Sequence, residues 1–235
     1  MREETARRLR ALVAELYASE AEDFAGHRTR PWPGFLEVVA AVPESVACVR
    51  ILDVGCGPGR FGELAGRWRR VRYVGVDASK ELLAIARERL RDQDVELVQA
   101  DVIDWSPPHR AFDLVVAAAL LHHVPSSEAR TALVARLAGS VAPGGLLALT
   151  TWDVDAPRAR PKHLPWSTLP EIDESDLEPG DRLLRFRGAL RYVHAVDEAE
   201  LTAWIAASEL ELERSFRADG PSADANVYLL LRRWA

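Results

Sequence analysis

The chain has 235 residues, 48% of them hydrophobic and 28% charged, with a formal net charge of −6. That suits one sizeable soluble core, while the acidity argues against a global nucleic-acid footprint and two cysteines, Cys48 and Cys56, are too few for a disulfide scaffold. No apolar run is long enough to span a bilayer, and MREETARRLR lacks the apolar segment of a secretory signal, so a cytoplasmic protein without membrane attachment is expected.

Residues 2–22 read as a helix, with Leu9, Leu12, Val13 and Leu16 at helical spacing. RPWPG at 30–34 interrupts the chain and FLEVVAAV resumes as a short helix, giving a helical cap over residues 1–45. VRILDV is a buried strand, followed by a glycine loop and a helix from near Arg60. YVGVD is a second strand, and Ser79 caps the next helix, which carries Leu82, Leu83, Ile85, Ala86 and Leu90. VELVQAD and FDLVVAAALL supply the third and fourth strands, SSEARTALVARLAGSV a helix, and LLALTTW a fifth strand after the PGG turn. The rhythm then stops: 153–190 is expected as a loop or lid insertion, since long connections are usually functional or disordered. DEAELTAWIAAS is a helix, and LELERSFR and NVYLLLRR are two late antiparallel strands. Alternating apolar strands and helices predict one α/β domain over 1–235, with a mostly parallel sheet covered on both faces.

Ligands of such sheets sit beyond the carboxyl ends of the strands, where ILDVGCGPGRFG places its glycines. The segment satisfies both Gly55-x-Gly57-x-Gly59 and the dinucleotide spacing Gly57-x-Gly59-x-x-Gly62. Charge separates the two. Asp53 at the strand end opposes a pyrophosphate, and Pro58 removes one backbone donor. S-adenosylmethionine (SAM) carries a sulfonium and an ammonium instead, and both suit an acidic strand end. Asp77 ends the second strand, where an acid accepts ribose hydroxyls; Asp101 ends the third, placed for the adenine amine with the Val102 amide beside it. Cys56 in the loop is read as packing, and no metal is expected.

DVGCGPG, GVDAS, QADVIDW, FDLVVAAALLHHV and APGGLLAL, in this order from 51 to 151, together resemble the class I SAM-dependent methyltransferases. The resemblance implies a Rossmann-like, seven-stranded sheet ending in a reversed hairpin. It also implies SAM as cofactor, with S-adenosylhomocysteine as product. Cofactor contacts are expected from Tyr17, Arg28, Asp53, Gly55, Cys56, Gly57, Gly59, Asp77, Ala78, Asp101, Val102, Ala117 and His122.

The flanks resemble one branch of that family, the tRNA wobble-uridine carboxyl methyltransferases. Tyr17, Phe24, Arg28 and Pro31-Trp32-Pro33 fall on its pattern, as do Arg191, Tyr192, His194 and Asn226; Val193, Ala225 and Val227 depart from it. The acceptor implied is a carboxylate on a modified wobble uridine, so tRNA is an expected partner. Acceptor contacts are expected from Trp32, Arg191, Tyr192, His194 and Asn226. A carboxylate nucleophile needs no base, only positioning and a cation, and the planar fork of arginine suits it. For a hydroxyl or amine acceptor, His122 is the candidate catalytic base. The rival readings are a methyltransferase for a small acid or other metabolite, which the acidic charge favours, and a non-catalytic SAM-binding subunit. Some eukaryotic members of the resembled branch require a small zinc-containing partner protein; nothing in this sequence addresses one.

Overall fold

The apolar runs form strands β1 (Val49–Val54), β2 (Val71–Asp77), β3 (Asp94–Gln99), β4 (Phe112–Ala118) and β5 (Val141–Trp152) in a computed structural model that describes residues 1–26, 32–155 and 163–234. Helices α4 (Arg60–Trp68), α5 (Lys80–Arg89) and α6 (Ser127–Gly139) alternate with them, and Ser79 caps α5 by accepting the Leu82 amide at 3.1 Å. In chain order, α1 (Glu3–Ser19), α2 (Ala21–Gly26) and α3 (Pro33–Ala40) precede the sheet. After β5 come β6 (His163–Leu164), β7 (Asp181–Phe186), β8 (Ala189–His194), α7 (Glu198–Ser208), β9 (Glu211–Ala218) and β10 (Asn226–Arg232).

The main sheet runs β3-β2-β1-β4-β5-β10-β9, parallel except for the β9–β10 hairpin. Successive strand residues serve opposite faces: Ile51 packs with Phe35, Phe61 and Tyr228, whereas Leu52 packs with Leu137, Trp204 and Leu229. This is the helix-covered, mostly parallel sheet that the strand–helix rhythm predicts, with the seven strands and reversed hairpin that the family resemblance implies.

The segment expected as a loop or lid insertion contains strands. β6, β7 and β8 form a second, antiparallel sheet, with Arg187 (φ +52°) and Gly188 between Phe186 and Ala189. The regular arginines of DRLLRFRGALRYVH mask the alternation, and Arg187-Gly188 is not one of the dipeptides that mark a two-residue hairpin turn. The apolar stripe of α1 does not reach the main sheet. Leu9 and Leu12 pack instead on Leu183 and Tyr192 of the small sheet.

Two polar clusters join these layers. In the first, Arg130 on α6 is fully buried and bonds Glu178 (2.6 Å) and Glu200 (2.5 Å), while His194 reaches Asp181 (2.8 Å) and Glu200 (3.0 Å). Burial lowers the His194 pKa, but the bonds to Asp181 and Glu200 outweigh it and the net direction is upward. Its contribution to stability is therefore complete below the ordinary histidine pKa and fades as pH rises through the elevated one. His194→Phe takes one partner from each of two buried carboxylates, Asp181 and Glu200, and should cost about 1–3 kcal/mol, read as a loss of several degrees in thermal denaturation.

In the second cluster, Asp219 (φ +68°) is buried and accepts the Gly34 amide (2.9 Å), the Asn226 amide (2.7 Å) and the Tyr228 hydroxyl (2.5 Å). It thereby pins the start of α3 to the β9–β10 hairpin. A Cβ on Gly34 would lie 2.3 Å from the Tyr228 ring. Gly34→Ala should therefore destabilise by about 1–3 kcal/mol, measurable by urea unfolding.

Candidate active site

The strand order reverses between β1 and β4, and a cavity of about 910 Å³ opens at that point along the carboxyl edge of the sheet. Its lining follows the sheet order. Asp101, Asp77 and Asp53 come from the β3, β2 and β1 side. His122 and His123 follow β4, Trp152 ends β5, and Asn226, its pairing partner, begins β10. One half is acidic; the other is aromatic and histidine-rich.

In the acidic half the glycine loop spends its own donors. Gly55 and Cys56 donate to the Val76 carbonyl (2.8 and 3.0 Å), Gly57 to Asp77 (2.8 Å) and Gly59 to the Cys56 carbonyl (3.1 Å). With Pro58 lacking a donor, the amides of 55–59 are committed and form no phosphate cradle. Gly55, Gly57 and Gly59 all have positive φ (+72°, +52°, +77°), which a side chain would strain. Gly62, last of the dinucleotide-like spacing, serves packing: a Cβ there would sit 2.8 Å from the Tyr73 ring. Tyr73 in turn donates to Asp53 Oδ2 at 2.6 Å.

Asp53 is almost fully buried, and its Oδ1 has no hydrogen-bond partner among the described residues. Burial pushes its carboxyl up to about 7; the Tyr73 bond opposes this and nearby Asp77 adds to it. Burial also raises Asp77, against the pull of the Ser79 and Gly57 amides. An unmet carboxylate oxygen facing a cavity fits a cationic ligand group and disfavours a phosphate, so the residues suit SAM. Asp101 bonds the Ile103 amide at 2.9 Å and lies 3.7 Å from Arg10 of α1. Cys56 lines the cavity with its thiol pushed well up by burial, which leaves it unreactive.

In the other half, Arg191 is 7% exposed. Its Nη2 donates to His123 Nε2 (2.7 Å) and to the Tyr17 hydroxyl (3.1 Å), and its guanidinium faces the Tyr17 and Trp152 rings. These neighbours are uncharged. Among the described residues no carboxylate is within ion-pair reach of Arg191, and its Nε is buried without a hydrogen-bond partner. The other cations of the cavity differ: Arg10 reaches Asp101 and Lys80 reaches Glu81 at 3.8 Å, while Arg60 lies over Trp32 at 5.2 Å with its pKa drawn down by burial to about 10. His122 is buried, with the Trp152 amide donating to its Nδ1 at 3.4 Å. Since an amide only donates, Nδ1 holds the lone pair and Nε2 the proton.

Of the expected site residues, Tyr17, Trp32, Asp53, Gly55, Cys56, Gly57, Asp77, Ala78, Asp101, Val102, His122, Arg191 and Asn226 line the cavity. Four expected residues do not. Gly59 caps α4 instead, beneath Leu90 of the α5 end. Ala117 is buried under the sheet, and Ala118, Ala119 and Leu120 line the cavity in its place. Tyr192 and His194 are corrected for one reason: adjacent residues of a strand face opposite ways. Arg191 therefore meets the cavity, while Tyr192 enters the core beneath α1 and donates to Asp181 at 2.7 Å, and His194 joins the Arg130 cluster. Arg28 and Pro31 lie outside the described residues. Sequence reasoning missed Trp152, Phe186 and Asp219; the position of Trp152 at a strand end was the one available signal. Several other arginines are ion-paired, Arg67 with Glu63, Arg72 with Asp94, Arg182 with Asp155 and Arg187 with Asp23.

No helix among the described residues is long and apolar enough to cross a membrane. Residues 51–145 match the family model described as a methyltransferase domain. A trans-aconitate 2-methyltransferase of Variovorax paradoxus (strain S110) is 44% identical over 52% of this chain and 44% of its own length. The chain thus spans about half the length of the first curated relatives it matches. Another protein of that name, from Azoarcus sp. (strain BH72), is 30% identical over 84% of this chain and 90% of its own. Among solved structures, the N-methyltransferase NodS from Bradyrhizobium japonicum WM9, in complex with S-adenosylhomocysteine, shares the fold at 18% identity, with a TM-score of 0.62 over 88% of this chain and 90% of that one. These relatives correct the expected likeness to the wobble-uridine branch, whose Tyr and His positions the structure buries away from the cavity. With a relative matched across nine-tenths of its length and the acids of three strand ends facing one cavity, the chain belongs to the class I SAM-dependent methyltransferases.

Proposed function

We propose that the enzyme transfers the SAM methyl group to a carboxylate of a small organic acid, forming a methyl ester and S-adenosylhomocysteine. The observation that carries this reading is Arg191, a buried guanidinium without an acidic partner among the described residues, in the cavity wall beside Tyr17, His123 and Trp152. Burying a charge unpaired is costly, and an anionic acceptor supplies the missing partner. The names of the relatives, which specify a small polycarboxylic acid, support the same class.

The chemistry asks little of the protein. Bound SAM would supply a methyl group on a sulfonium leaving group, and an ionised carboxylate would accept it without any proton transfer. Arg191 orients the acid, and positioning supplies most of the rate. His122, with its Nε2 protonated, serves as a donor to the acceptor rather than as a base. Asp53 and Asp77 would hold the cationic and ribose ends of the cofactor, with Asp101 and Val102 at the adenine.

The test is incubation with SAM and a panel of mono-, di- and tricarboxylic acids, trans-aconitate included, beside tRNA. Mass spectrometry should find a methyl ester and equimolar S-adenosylhomocysteine. Methylation confined to amines, hydroxyls or tRNA nucleosides would overturn the proposal.

A further inference from the structure

Three separate elements converge on Arg191: Tyr17 comes from α1, Arg191 from β8, and His123 from the 3₁₀ turn after β4. The bonds of His123 fix its protons. Its Nδ1 lies 3.0 Å from the Tyr192 carbonyl, which only accepts, so Nδ1 carries hydrogen. Its Nε2 lies 2.7 Å from Arg191 Nη2, which only donates, so Nε2 holds the lone pair. His122, one residue earlier, has the opposite tautomer. A histidine whose lone pair is occupied by a guanidinium cannot take a proton from an acceptor.

We propose that His123 is a positioning residue that acts through Arg191. It relays a fixed point of the β8 backbone to the guanidinium and sets the direction in which the guanidinium meets the acceptor carboxylate. Both protons of Nη2 go to His123 and the Tyr17 hydroxyl, so the guanidinium cannot rotate about its stem without breaking two bonds. This assignment rests on the carboxylate reading above, and its first test does not.

The first test is ¹⁵N NMR of the histidine-labelled whole chain without acceptor. His123 should show a protonated Nδ1 and an unprotonated Nε2, and Arg191→Met should move the Nε2 resonance. An Nε2-protonated ring, or one indifferent to Arg191→Met, would overturn the proposal whether or not any acid is methylated. The second test is kinetic, with whichever carboxylic acid is methylated. His123→Phe should raise KM for the acid about ten- to thirtyfold, with kcat and S-adenosylhomocysteine affinity nearly unchanged. His123→Gln, whose side-chain oxygen can accept from Arg191, should recover most of the loss. In the Arg191→Met background, His123→Phe should cost nothing further; an equal loss in both backgrounds assigns His123 a separate role and defeats the proposal.

Discussion

Arg191→Met should lower kcat/KM for the acid acceptor by about a hundred- to a thousandfold. Removing one partner of a buried, hydrogen-bonded charge pair typically costs about 2–5 kcal/mol, and each 1.4 kcal/mol is a factor of ten. The loss should fall mainly on KM, because the guanidinium holds the acid before and during transfer alike. Arg191→Lys should be nearly as poor, since a point charge on a flexible stem cannot keep the bonds to Tyr17 and His123 and also face the acceptor. Stability should move the other way. This charge is buried against neutral neighbours among the described residues, so methionine should hold or raise the melting temperature. A variant that loses activity and melts markedly lower would show that Arg191 is structural. Steady-state kinetics paired with calorimetry of S-adenosylhomocysteine binding separates the cases.

The second large effect concerns Asp53. Its carboxyl is raised to about 7, chiefly by burial, against about 4 in an unfolded chain. Between these values the folded protein binds a proton that the unfolded chain has released. Stability of the cofactor-free enzyme should therefore fall as pH rises from about 4 to about 7, by up to about 1.4 kcal/mol for each unit crossed. Cofactor binding has the opposite sign, since a cation next to Asp53 favours its ionised form. Affinity for S-adenosylmethionine or its product should rise with pH up to about 7 and level off above it. Asp53→Asn should weaken the complex about thirtyfold or more at pH 8 and remove the pH dependence between 5.5 and 7.5. Isothermal titration at four pH values measures both; a flat wild-type profile would refute the assignment.

How much of this was legible in the sequence depends on local geometry. The apolar strands and the aspartates at their ends could be read because a parallel strand is buried on both faces and its last residues point to the ligand edge. The small sheet could not, because Arg182, Arg185 and Arg187 break the apolar count of a hairpin whose inner residues, Leu183, Leu184 and Tyr192, are nonetheless buried. Reading Arg191, Tyr192 and His194 as one site treated a strand as though its neighbours shared a face. Asp219 left no trace, since it joins the cavity by folding beside Asn226, seven residues away. The flanking motifs pointed toward tRNA and the charge of the chain toward a small acid, and the names of the relatives favour the second.

The packing of α1 on the small sheet has a consequence for how such enzymes are recombined and how they diverge. Leu9 and Leu12 share one apolar cluster with Leu183 and Tyr192, fragments about 170 residues apart in the chain. Neither fragment covers its own hydrophobic face. A chimera that takes its amino-terminal helix from one parent and its insertion from another should aggregate unless both sides of that seam are exchanged together. Mutational drift in one should select compensating change in the other, so acceptor preference is inherited as a pair of distant segments and not as a single loop.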